Sequence, residues 1–201
     1  MIKIILLSLI MVQLIQYSII QVSEKEINQS EIARVLYIIT PLLISMLYMK
    51  HSLNEEFLRY SILICFLIVI STIDYYTMYI YDITIISGII IQGIILLITK
   101  DNLDSHILGL LIGFIIPYIM VKLTKGVGSG DVGVYALCCF CIGIERSLEM
   151  IVISVVIGGI YAIYMMVVKK LSSKSYMPFA PCIFLATIIV ILTQQNIMNV
   201  I

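Results

Sequence analysis

Three aspartates stand apart from the other acidic residues. Asp74, Asp82 and Asp131 lie within or at the edge of long apolar runs. Glu24, Glu26, Glu31, Glu55, Glu56, Asp101, Asp104, Glu145 and Glu149 instead fall in the charged stretches between runs, where they read as solvated faces. A carboxylate at bilayer depth is costly, so by default it marks a functional site. Two carboxylates close together cannot both ionise; one pKa rises and they share a proton. The ionised member can then take a proton from water while the neutral one protonates a carbonyl or a leaving amine. That is aspartic protease chemistry, which requires neither a metal nor a covalent intermediate. A transporter that relays protons or binds a cation would use the same pair, drawing on Asp74, Asp82, Asp131 and Gln92.

The elements around these residues bring two of them to one depth. The stretch Gly126-Val127-Gly128-Ser129-Gly130-Asp131 is a glycine-rich turn running into the apolar segment Val132 to Ile144. Its glycines permit left-handed backbone angles and close approach of another chain, although a plain turn with an Asp helix cap has the same letters. Thirteen residues separate Asp131 from Glu145, and Asp74 stands thirteen residues beyond Ser61 in its own run. Thirteen helical residues rise about 20 Å, against a hydrocarbon core of about 30 Å. Both carboxylates are therefore expected at a similar distance from the same membrane face.

Composition sets the frame. Of 201 residues, 62% are hydrophobic and 12% charged, with mean hydropathy +1.15, against about half and a quarter in a soluble domain. An all-α, polytopic transmembrane bundle follows, in contact with membrane lipid. Eight candidate spans are predicted, near 4–22, 35–49, 60–80, 83–99, 106–121, 131–144, 150–168 and 179–194; the shorter ones leave room for seven spans or a re-entrant piece. The formal net charge is zero, so no nucleic acid partner is implied. The apolar run from Ile4 to Val22 lacks a small-residue cleavage pattern and is expected to be a retained first span. Lys and Arg number seven in the loops on one side of an eight-span topology and five on the other. This places the Gly-rich turn and the loop after Asp74 on the cytoplasmic side.

Several conspicuous residues have plain readings. Cys65, Cys138, Cys139, Cys141 and Cys182 sit in apolar stretches, and the Cys138-x-x-Cys141 spacing has no second pair or nearby His to complete a metal site. They read as small packing residues. Gly109-xxx-Gly113 is a helix-packing motif, and Pro117 is expected to kink its helix. His51 and His106, at span edges, read as interface residues.

Three landmarks in order resemble the type IV prepilin peptidases, a family of membrane aspartic proteases. Asp74, six residues and then Tyr81-Asp82 resemble the family's aspartate, six residues and Pro-Asp. Gly128-Ser129-Gly130-Asp131 is similar to its Gly-x-Gly-Asp, and Pro178-Phe179-Ala180-Pro181 to its Pro-Phe-Gly-Pro. The resemblance covers about 60–194, leaving 1–59 as an N-terminal helical pair ahead of a catalytic membrane unit over 60–201. It implies Asp74 and Asp131 as the catalytic dyad, with Asp82, Gly128, Ser129, Gly130, Pro178, Phe179 and Pro181 supporting it or lining the substrate path. The implied substrate is a pilin-like precursor, cut just after a glycine at the cytoplasmic face of the inner (plasma) membrane.

The departures from that pattern are Tyr81 where the family has Pro, and Val132-Gly133 where it commonly has Val-Lys. Longer members carry a zinc domain with two Cys-x-x-Cys pairs after the first span, linked to N-methylation. The Cys-free loop 23–34 stands there, so no zinc, no other cofactor and no methyltransferase activity are expected. Tyr81-Asp82 with Gly128-x-Gly130-Asp131 is also similar to presenilin-like proteases, whose Pro-Ala-Leu motif is absent. A pilin-binding scaffold without activity is the other alternative. Neither the oligomeric state nor the particular precursor is specified.

Overall fold

In this computed structural model, residues 2–22, 29–124, 128–170 and 177–193 are described. Among them the chain forms eight helices and no strand: α1 (Ile2–Val22), α2 (Gln29–His51), α3 (Glu55–Thr77), α4 (Asp82–Thr99), α5 (Leu103–Thr124), α6 (Ser129–Ile142), α7 (Ile144–Val167) and α8 (Ala180–Thr193). Number and order match the apolar runs, and the chain has the character of a multi-pass membrane protein. Five stretches are long and apolar enough to cross a membrane: Ile32–His51, Glu55–Thr77, Asp82–Thr99, Leu103–Leu123 and Ile144–Val167. Leu7–Gln21, α6 and α8 are shorter apolar helices.

The helices run further into charged sequence than hydropathy alone indicates, because backbone hydrogen bonding does not stop where the bilayer does. α2 takes in Gln29 to Arg34, half of the expected loop 23–34; positions 23–28 lie outside the described residues. The expected loop 50–59 shrinks to a short corner, since Asn54 Oδ1 accepts from the Phe57 N–H at 2.9 Å and starts α3. α5 continues through Pro117.

The centre of the bundle is α6, which buries eleven of its fourteen residues and packs against α3, α4, α5, α7 and α8. A helix apolar on every side belongs inside. Its closest neighbour is α5, and the two glycines make that approach possible. A Cβ on Gly109 would stand 2.4 Å from the Cys139 carbonyl oxygen, and one on Gly113 would stand 2.6 Å from that of Tyr135. Small residues at such a seam let helix backbones meet.

α6 turns into α7 at Gly143, whose φ of 85° is the left-handed conformation that L side chains resist. From that shared corner α6 extends 14 residues and α7 extends 24. The ten-residue difference leaves the start of α6 about 15 Å short of the far end of α7. A short helix inside longer ones thus begins below the end of the bundle, and Asp131 is in its first turn.

At the corner end, the bundle is tied by charged and polar residues at the edges of the spans. Arg59, 4% exposed, donates from Nη1 to Asp101 Oδ2 and to His106 Nε2, the latter at 2.9 Å. His106 Nδ1 lies 2.8 Å from the Phe140 carbonyl, an acceptor only, so the ring hydrogen sits there and Nε2 accepts from Arg59. Gln92, fully buried, donates to the Arg59 carbonyl at 3.0 Å. His51 is buried beside Glu56 at 2.8 Å, so neither histidine is the interface residue expected. Glu149 grips Arg146 through both oxygens at 2.7 Å, and Arg146 and Lys50 donate to the Val190 and Leu192 carbonyls, capping α8.

Asp101 sits between spans, and its partners decide its titration. Partial burial would raise its pKa, but the Asn102 N–H and the positive charge of Arg59 outweigh that and hold it below the usual carboxylate value. A carboxyl lowered on folding adds stability above its unfolded pKa and loses it as pH falls through the folded value. The thermal midpoint of Asp101→Asn in detergent is therefore expected below wild type at neutral pH. The gap should close as pH drops below about 4, the unfolded value. A gap that does not narrow on acidification below the unfolded value would contradict this.

Candidate active site

The site lies at the end of the bundle opposite Arg59, where α3 ends and where α4, α6 and α8 begin. Asp74 is in the last turn of α3 and is 5% exposed; Asp131 is the third residue of α6 and is 4% exposed. The Ala180 N–H, the first of α8, donates to Asp74 Oδ2 at 2.9 Å across 106 residues of sequence. A helix N-terminus offers unpaired N–H groups and a positive dipole end, and a carboxylate suits both. Asp131 is held by its own helix: Oδ2 accepts from the Gly128 N–H at 2.9 Å, while the Asp131 N–H donates to the Gly128 carbonyl at 3.2 Å. Asp131 Oδ1 is buried with no hydrogen-bond partner among the described residues.

The two carboxyl groups share an environment. The Ala180 N–H ties Asp74 to the start of α8, and Tyr135, one turn beyond Asp131 on α6, has its ring 6.4 Å from that of Phe179, the residue before Ala180. The structure therefore brings together Asp74, Asp131, Gly128 and the 178–181 segment. Phe179 is 7% exposed, and Pro181 is the second residue of α8, where a missing N–H costs nothing. Asp82 is not gathered in. It opens α4 as an exposed residue, because α3 stops at Thr77 and the chain turns through Met78 in the left-handed region. Gln92 is also elsewhere, at the Arg59 end.

The glycines serve differently from the sequence expectation. Gly128 has φ −71°, Gly130 is helical, and neither takes a left-handed angle; Gly126 lies outside the described residues. What Gly130 supplies is clearance, since its Cβ would come 3.1 Å from that of Ile80. Ser129 is the exposed first residue of α6. At Gly133 the space for a side chain is filled by Ile85, whose Cδ1 would lie 2.7 Å from a Cβ there. Tyr81 is the residue before α4, and its carbonyl accepts from the N–H and hydroxyl of Thr84.

Three contacts around the pair were not anticipated. Tyr135, fully buried, shares a hydrogen bond with Ser154 of α7. The Tyr135 ring lies 6.4 Å from that of Phe179, and Phe179 packs on Gly158. Asp131 and Tyr135 are four apart on α6, as are Ser154 and Gly158 on α7, so each pair shares a helix face. That spacing was the available signal, but nothing in a single sequence says which helix the face meets.

A helical membrane bundle with two buried aspartates at the starts and ends of facing helices is the class defined so far. The chain belongs to the type IV leader peptidase family, whose model matches residues 61–163, just over half its length. It is similar to the prepilin leader peptidase/N-methyltransferase of Bacillus subtilis (strain 168), with 28% identity over 100 residues. That match takes in 49% of this chain and 40% of the relative, so the chain aligns with less than half of that protein. No solved structure matches.

Proposed function

We propose that this protein is an aspartic endopeptidase that removes the leader from a pilin-like precursor at the cytoplasmic face of the plasma membrane. The observation that carries the reading is the pair itself: two buried carboxyl groups from different helices, each with one oxygen held by a backbone N–H. Family membership supports it, as does the similarity to the Bacillus prepilin leader peptidase/N-methyltransferase.

In this reading the two aspartates hold one proton between them. The ionised carboxylate takes a proton from water as the water attacks the scissile carbonyl, and the protonated partner hydrogen-bonds the carbonyl oxygen. Collapse of the tetrahedral intermediate breaks the C–N bond, and the departing amine receives a proton from the dyad. The Ala180 and Gly128 N–H groups keep the carboxyl planes in place, so little rearrangement is needed as charge moves. The substrate peptide must be extended to be cut, because a helix hides its backbone. Asp82, Ser129 and Tyr81, at the edge of the site, would meet the residues flanking the cut.

Co-expression of this protein with pilin-like precursors, followed by mass measurement of the products, tests the proposal. Loss of a leader after a single residue is expected. Intact precursors across a panel would sink the peptidase reading and favour a pilin-binding scaffold.

A further inference from the structure

Phe179 is seated against α7. A Cβ built on Gly158 would stand 2.3 Å from its Cε2, 3.0 Å from Cζ and 3.3 Å from Cδ2, so the ring rests directly on the α7 backbone. The Tyr135 ring is 6.4 Å away, centroid to centroid, and Tyr135 is itself held by Ser154, one turn before Gly158. The next residue after Phe179 is Ala180, whose N–H grips Asp74. The Phe179 carbonyl also accepts from the Cys182 and Ile183 N–H groups, closing the first turn of α8. Displacing the ring therefore displaces the start of α8. One residue along α7, a Cβ on Gly159 would meet nothing within 4 Å.

We infer that Gly158 is a positioning residue: by having no side chain it seats Phe179, and the seated Phe179 sets the Ala180 N–H on the Asp74 carboxyl. The inference rests on the peptidase reading of Asp74. It makes two adjacent glycines of one helix behave differently, which helix propensity alone would not do, since replacing either by Ala changes the backbone freedom equally.

The test uses the full chain in membranes, with a pilin-like precursor, comparing Gly158→Ala, Gly159→Ala, Phe179→Leu and the double variant Gly158→Ala/Phe179→Leu. Gly158→Ala should lower kcat by about tenfold or more with KM within about twofold, because the lost interaction acts on the reacting group and not on binding. Gly159→Ala should match wild type within about twofold on both. Adding Gly158→Ala to Phe179→Leu should have almost no further effect, since a smaller side chain relieves the contact; the two changes are coupled. Wild-type kcat in Gly158→Ala, equal losses at both glycines, or a full further loss when Gly158→Ala is added to Phe179→Leu would each overturn the inference.

Maleimide labelling of Cys182, 4% exposed in the first turn of α8, gives a readout independent of cleavage. It should speed up in Gly158→Ala and not in Gly159→Ala. If wild type cuts no precursor, the peptidase reading fails while this contrast still decides the seating of Phe179. Equal labelling of the two variants overturns it.

Discussion

Asp131→Asn is expected to leave a pilin-like precursor uncut while the protein still inserts and folds, and Asp74→Asn is expected to do the same. General acid–base groups contribute roughly 10²–10⁴-fold each, so single substitutions should fall at least that far, and the double variant should fall little further because the pair acts as a unit. The substitution is close to isosteric. The Asn oxygen can still accept from the Gly128 N–H at position 131, or from the Ala180 N–H at position 74. What it removes is the exchangeable proton. The separating control is Asp82→Asn: that carboxylate is exposed at the start of α4, so its loss should cost about tenfold or less, as for a group that touches substrate without joining the chemistry. Product masses at matched protein levels decide the matter. Wild-type processing by either dyad variant would remove the aspartic mechanism. Proton-coupled flux without processing would move the transporter reading ahead.

Gly109→Ala is expected to be the most damaging small change to the fold. Its new methyl would lie 2.4 Å from the Cys139 carbonyl and 3.0 Å from the Gly143 carbonyl carbon, both backbone atoms that cannot swing aside. α5 and α6 would have to separate. Overpacking of this kind costs about 1–3 kcal/mol, before the lost contacts along the seam. α6 also carries Asp131, so activity should fall with stability. Gly93→Ala is the control, since its Cβ would meet only the Phe140 ring, at 3.9 Å. Thermal unfolding in detergent should show a drop of several degrees for Gly109→Ala and almost none for Gly93→Ala. Equal midpoints would mean that α5 and α6 are not in backbone contact.

Charge patterning illustrates where sequence reading loses its way. Arg59, Asp101, Glu56 and Glu149 stand in hydrophilic stretches, and counting them as loop charges is the natural inference. Asp101 and Glu149 are exposed as expected, each also pairing with an arginine, whereas Arg59 is buried between Asp101 and His106 and Glu56 pairs with the buried His51. A polar residue at a span edge is equally consistent with water and with a neighbouring helix, and hydropathy does not distinguish them. The same applies to Asp82. It follows Asp74 closely in an otherwise apolar region, yet the chain leaves the helix at Thr77 and exposes it.

By itself the sequence determined the eight helices, because apolar runs of that length must satisfy their backbone internally. It also pointed to a similar depth for Asp74 and Asp131, because helical rise converts residue counts into distance. The ordered landmarks around them were enough to suggest the family. Only the tertiary structure decided what surrounds each carboxyl. The donor to Asp74 is a backbone N–H 106 residues away, a group that every residue type except proline possesses and that no letter in the sequence marks. The seat beneath Phe179 is likewise a glycine on another helix, recognisable only once the two helices are packed together.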